Sequence, residues 1–271
     1  MTPQEAFSED LNRVFEAIDG MVERVERFKV DPQFAAEVKN RDNRRPDFAL
    51  NDERILERLI ELIAFSNNAR SEGVDTLVQR QVFRLIFRDY SVENAATFAH
   101  EEIVREHWPE IKAIRFKRKV RAMVRCAACL LEIRNRYGSF IGYLSTAGLP
   151  RVVRSDADIR AFWNSFRQIQ AYLREMKVPY FGNLTSLCHL LLDLGFDVAK
   201  PDSAVMEASV SLGIVAPART YPPKNLERTV RTVQRYAITR GKRVPVIDLY
   251  FLVKGGQSWA RQFVSEDFYR L

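Results

Sequence analysis

Apolar residues recur along this chain at three- and four-residue spacing, and runs of strict alternation are scarce. Residues 4–29 set Leu11, Val14, Phe15, Ile18, Val22 and Val25 on one face, the pattern of an amphipathic helix. The stretch 39–50, KNRDNRRPDFAL, is polar, contains Pro46 and reads as a linker. Asn51 or Asp52 then caps a helix carrying Ile55, Leu56, Leu59, Ile60, Leu62 and Ile63. After a loop through Asn67 and Asn68, the spacing of Val78, Val82, Phe83, Leu85 and Ile86 predicts another helix. Ser91 opens a short one, with Glu93 and Asn94 in its first turn. Further helices are predicted over 120–137, 156–176, 184–194, 203–212, 225–240 and 246–254. Gly138, Gly195 and Gly213 stand where three of these stop. With no internal repeat and no low-complexity tract, the expected fold class is all-α.

Composition narrows the functional classes. No apolar run approaches the roughly 20 residues that span a bilayer, so no membrane partner is expected. The first residues, MTPQEAFSEDLNRVFEAIDG, carry acids early and lack a continuous apolar core, so no secretory signal is read there. Three cysteines, Cys126, Cys129 and Cys188, are too few for a disulfide scaffold, and the expected compartment is the reducing cytoplasm, in association with the nucleoid. The net charge of +7 favours polyanionic partners weakly. Its distribution says more: Arg115, Lys117, Arg118, Lys119, Arg121 and Arg125 form one cluster, and Arg228, Arg231, Arg235, Arg240, Lys242 and Arg243 another.

The densest chemistry lies between Lys177 and Val205, KVPYFGNLTSLCHLLLDLGFDVAKPDSAV: a tight turn, a helix opening on Asn183-Leu184-Thr185-Ser186, a stop at Gly195, and a loop delivering Asp202. Gly182 suits a close backbone approach to a phosphate, and the N–H groups after it begin a helix, whose partial positive charge favours anions. A plain helix–helix turn around a buried aromatic would use the same residues, and a loop aspartate before a helix is most often an N-cap.

The whole segment resembles the helix-hairpin-helix and Gly/Pro-Asp signature of the HhH-GPD DNA glycosylases, with Pro179-Tyr180-Phe181-Gly182 where that family has Pro-Gly-Val-Gly. Tyr180 replaces the first glycine, so the turn differs in detail. The resemblance covers roughly residues 50–256 and implies an all-α HhH-GPD fold, two helical subdomains flanking a DNA-binding cleft, within residues 46–271. Residues 1–45 form an N-terminal helical extension outside it.

Much follows from the resemblance. Asp202 becomes the catalytic carboxylate that stabilises the sugar cation formed when an N-glycosidic bond breaks. Leu184 occupies the position where lyase members carry a lysine, so no amine there forms a Schiff base, and the implied enzyme is monofunctional, leaving an abasic site. Gly182, Asn183 and Thr185 face the DNA backbone, and Lys200 is either a phosphate contact or a solvated lysine. Asn67 or Asn68 fills the gap left by a flipped base, or these are turn residues. Ile114–Val120 and Tyr137-Gly138-Ser139-Phe140 are similar to the 3-methyladenine glycosylase branch, which makes Arg115, Lys117 and Lys119 a basic rim. Tyr180, Trp163 and Phe65 are candidates to line the base pocket. That branch also carries a zinc site, but its Cys-His pairs are missing here; Cys126 and Cys129 have CxxC spacing inside a helix and read as packing. Ala64 stands where the branch has a base-holding glutamate.

No cofactor is expected, though the hairpin carbonyls leave room for a monovalent cation. The expected partner is double-stranded DNA with a modified base, met by a monomer. An alkylated purine is the first target, and the missing glutamate leaves room for a hypermodified pyrimidine in foreign DNA. Two rivals use the same residues: a non-catalytic helix-hairpin-helix DNA-binding module, and a helical protein-interaction domain with no affinity for DNA.

Overall fold

The computed structural model describes residues 3–47, 49–67 and 69–270, with side chains from residue 10 onward. Helices α1 (Pro3–Phe28) and α2 (Gln33–Asn43) come first. The polar stretch read as a linker therefore begins inside α2, a helix tied down by the buried Phe34 and by Arg41. α3 (Asp52–Phe65) opens on Asn51, whose side chain accepts from Arg54 N at 3.0 Å. Asp52 turns inward instead, to Arg134 and the N–H of Phe140. α4 (Ser71–Gln79) and α5 (Val82–Ile86) replace one expected helix, because Gln81 adopts a left-handed conformation, φ +56°, and breaks the register.

α6 (Val92–Ala96) has the expected Ser91 cap. α7 (His100–Ile111) was not legible, since Pro109 lies inside it and Ile103 and Ile111 are its buried residues. α8 (Arg118–Tyr137) ends at Gly138, φ +80°. α9 (Phe140–Thr146), α10 (Asp156–Glu175), α11 (Leu184–Asp193), α12 (Ser203–Ser211), α13 (Pro223–Thr239) and α14 (Val244–Lys254) follow, then a 3-10 turn Trp259–Phe263 and α15 (Asp267–Arg270). Among the described residues there is no strand beyond an isolated bridge between Lys29 and Val264, so the fold is all-α, as in HhH-GPD proteins. Among these helices none is long and apolar enough to cross a membrane.

The chain divides into two compact units. The first comprises residues 1–46, 150–160 and 194–271. Its core is built on α14, buried from Val244 to Val253, with Leu249, Phe251 and Val253 fully buried. Against it pack α1 through Phe15, Ile18 and Val25, α2 through Phe34, and α12 through Val205 and Met206. The second unit comprises residues 47–149 and 161–193. Here α8 packs against α3, α6, α7 and α9, and its buried face runs through Val120, Met123, Cys126 and Ile133.

Candidate active site

In the second unit, α10 and α11 are joined by a turn over residues 176–183. Lys177 and Tyr180 both adopt left-handed backbone, φ +55° and +67°. For Tyr180, which stands in the place of a glycine, that conformation costs about 1–2 kcal/mol, so its surroundings must hold it. α8 does much of this. Arg125 donates to Met176 O at 2.9 Å, the Cys129 thiol to the same carbonyl at 3.7 Å, and the Cys126 thiol to Pro179 O at 3.9 Å. Burial pushes both thiols upward, so they stay protonated and donate. The CxxC spacing thus serves the hairpin, one turn of α8 bracing two of its carbonyls.

Gly182 has ordinary negative φ; it is needed for packing. A Cβ there would press on Arg174 Cγ at 2.9 Å, and Arg174 Nε donates to Gly182 O at 2.6 Å. Asn183 is the N-cap of α11, accepting from Ser186 N at 2.8 Å. Phe181 N and Asn183 N bond within the turn, and Leu184 N reaches the Gln170 amide oxygen at 3.1 Å. Several donors expected to face a phosphate are therefore already engaged. The N–H of Gly182 has no acceptor among the described residues, and Gly182 is partly exposed. Thr185 is half-buried in the first turn of α11.

The loop after α3 meets this hairpin. Asn67, φ +49°, is exposed, and its Nδ2 donates to the Tyr180 hydroxyl at 3.3 Å. Two candidates 113 residues apart are thus brought together. Phe65, 36% exposed, ends the helix just before them. Asn68 lies outside the described residues.

Lys119 is placed differently from its expected role on a basic rim. It is fully buried, and its Nζ donates to Ala64 O at 2.9 Å and Ser66 O at 2.5 Å, capping the C-terminus of α3. Burial, with Arg118 and Arg115 nearby, pushes its pKa down to about 8. Ala64, buried, contributes a carbonyl here and no side chain to a base. Arg115, φ +74°, and Lys117 do remain exposed, Lys117 lying over the Trp108 ring at 5.5 Å. Trp163 is fully buried, packed on Phe166 at 5.0 Å between centroids, and belongs to the core rather than to a pocket.

In the first unit, Asp202 is the N-cap of α12, accepting from Val205 N at 3.2 Å. Its second oxygen pairs with Lys200 Nζ at 3.1 Å, so Lys200 is an ion-pair partner, neither simply solvated nor free for a phosphate. The Asp202 side chain keeps 21% exposure. The loop before it is anchored by Asp248, which is buried on α14 and accepts the Lys200 N–H at 2.9 Å. Arg41 of α2 holds the other oxygen of Asp248 at 2.9 Å. Burial raises the Asp248 pKa, opposed by the Arg41 charge. Upstream, Asp197 pairs with Arg243 at 2.6 Å, and burial pushes its pKa up to about 6 against the bond from Val153 N. Gly255 completes the anchorage, for a Cβ there would lie 1.9 Å from Ala204 O in the first turn of α12.

The second basic cluster is mostly engaged internally. Arg231, Arg235, Arg240 and Arg243 pair with Glu227, Asp156, Asp19 and Asp197. A groove of about 430 Å³ in this unit is lined by Leu11 and Ile214 and by the pairs Arg13–Asp10 and Arg231–Glu227. The thiols of Cys126 and Cys129 aim at carbonyls, and no cluster of three His, Cys, Asp or Glu able to hold a metal occurs among the described residues.

Residues 50–178 match the methyladenine glycosylase family, a DNA glycosylase family of the HhH-GPD superfamily. The hairpin glycine and Asp202 follow the matched segment. No curated protein and no solved structure gives a significant match.

Proposed function

We propose that this chain is a monofunctional DNA glycosylase that excises a modified base from duplex DNA, an alkylated purine in the first instance. The family match over residues 50–178 carries the reading. It is supported by an all-helical chain in which a braced hairpin is followed in sequence by a loop aspartate held at both ends.

The chemistry asks little more of the protein. The target nucleotide leaves the stack, and Asn67 and Tyr180 occupy the gap. As the C1′–N bond breaks, its electron pair departs with the base and positive charge builds on the sugar. The Asp202 carboxylate stabilises that charge and orients a water whose oxygen bonds to C1′. The water proton passes through Asp202 to solvent. A cationic N-methylpurine leaves neutral by taking the bond pair alone, so no general acid is required. Leu184, mostly buried, offers no amine, so the product is an abasic site with intact strands. The Gly182 N–H is the hairpin donor for a phosphate.

The specific rival is a non-catalytic DNA-binding module, because the cap and Lys200 give Asp202 a complete structural role. Base release separates them. DNA carrying labelled methyl groups should yield free methylated base and alkali-labile sites with the wild type, and neither with Asp202→Asn. Salt-sensitive binding without any release would favour the binding module.

A further inference from the structure

Residues 41–45, at and just after the end of α2, precede the matched segment, yet they are linked to the loop that carries Asp202. Arg41 is 12% exposed and makes four contacts at once. It donates to Asp248 Oδ2 at 2.9 Å, to Pro245 O at 3.0 Å and to Glu37 at 2.8 Å, and it lies over the Trp259 ring at 5.9 Å. Asp248 in turn is wholly buried, and its other oxygen takes the backbone N–H of Lys200, two residues before Asp202. A second contact braces the start of the same loop. A Cβ on Gly195 would meet the Arg45 carbonyl carbon at 2.5 Å, and Arg243 bridges Gly195 O, Arg44 O and Asp197. Residues 41–45 are therefore linked to both ends of the loop 195–202, closely packed at Gly195 and through Asp248 at Lys200.

A buried carboxylate facing a backbone N–H is a precise anchor while it stays charged and fixed. Without a cation beside it, burial drives it to take up a proton or to swing toward water. Either response releases the Lys200 N–H and shifts the segment Lys200-Pro201-Asp202. A displacement of about 1 Å of a reacting group is enough to cost about a hundredfold in rate. Resting on the glycosylase reading, we propose that Arg41 is a positioning residue for Asp202: the N-terminal segment, through Asp248, sets the place of the carboxylate that acts on the sugar.

The test is single-turnover base release from methyl-labelled duplex DNA, beside binding to a duplex with a tetrahydrofuran abasic analogue. Arg41→Met should lose at least tenfold in release rate and keep the dissociation constant within twofold. Arg41→Lys, which retains the charge, should recover most of the rate. If Arg41→Met does not fold, Arg41→Met with Asp248→Leu takes its place. That pair removes the buried carboxylate together with the acceptor of the Lys200 N–H and should show the same split. A loss under threefold in a folded variant, or an equal loss of binding and rate, overturns the positioning role. Release abolished by Asp202→Asn but kept by Arg41→Met overturns it alone; release unaffected by Asp202→Asn removes Asp202 from the chemistry and this inference with it; no release by the wild type overturns the glycosylase reading on which it rests.

Discussion

Replacing Lys119 with methionine isolates a buried charge that no surface argument would find. The change keeps the length of the side chain and removes its donors to Ala64 O and Ser66 O. A hydrogen bond involving a charged group contributes about 1.5–3 kcal/mol, so two bonds lost would cost about 3–6 kcal/mol. Removing a charge whose burial is unfavourable offsets part of this. The pKa falls from 10.5 to about 8, and at neutral pH that shift corresponds to about 3 kcal/mol. The net loss near pH 7 is therefore about 0–3 kcal/mol.

The pH dependence is sharper than the net loss. Between the folded value of about 8 and the unfolded value of 10.5, the unfolded chain holds a proton that the folded chain has released. Stability of the wild type from this group therefore rises with pH in that window. From about pH 7 to about pH 9.5 the gain is about 2 kcal/mol, and the methionine variant lacks it. Urea unfolding followed by far-UV circular dichroism, wild type beside Lys119→Met, reads the difference directly, since the tyrosines common to both cancel. The gap should widen by about 2 kcal/mol over that range. A constant gap would refute the placement of a buried, strained ammonium at the end of α3.

Other outcomes follow from the same geometry. Asp202→Asn retains a capping oxygen and should change stability by a few tenths of a kcal/mol, whereas Asp202→Ala should cost about 1 kcal/mol; both should abolish base release, and a substantial residual rate in either would remove Asp202 from the chemistry. Gly255→Ala drives a methyl into the backbone of Ala204 and should lower stability by about 3 kcal/mol or more, read as a lower urea midpoint; an unchanged midpoint would show that α12 and α14 do not approach this closely. Asn67→Ala and Tyr180→Phe each remove one side of a single hydrogen bond, so the double variant should slow base release no more than the worse single one; multiplying effects would mean that the two side chains act independently.

The local elements were readable because their causes are local. Helix periodicity, the caps at Asn51, Ser91 and Asp202, and the stop at Gly138 depend on residues within a turn of each other, and they appear as spacing in the chain. The hairpin segment was legible for the same reason, as a short motif ending on a loop aspartate. Placement relative to solvent and to distant partners was not. Lys119 sits among exposed cations in sequence, but the pitch of α8 turns it inward to carbonyls more than fifty residues away. Lys200 and the arginines of α13 looked available to phosphate and are held by carboxylates, some contributed by distant parts of the chain. Arg41, in what reads as a linker, proves to be the counter-charge of a buried aspartate 207 residues later. Periodicity reports which face of a helix is apolar; which polar groups are carried inside with it, and what neutralises them there, is decided when the helices pack, because only then is a charge either desolvated or paired.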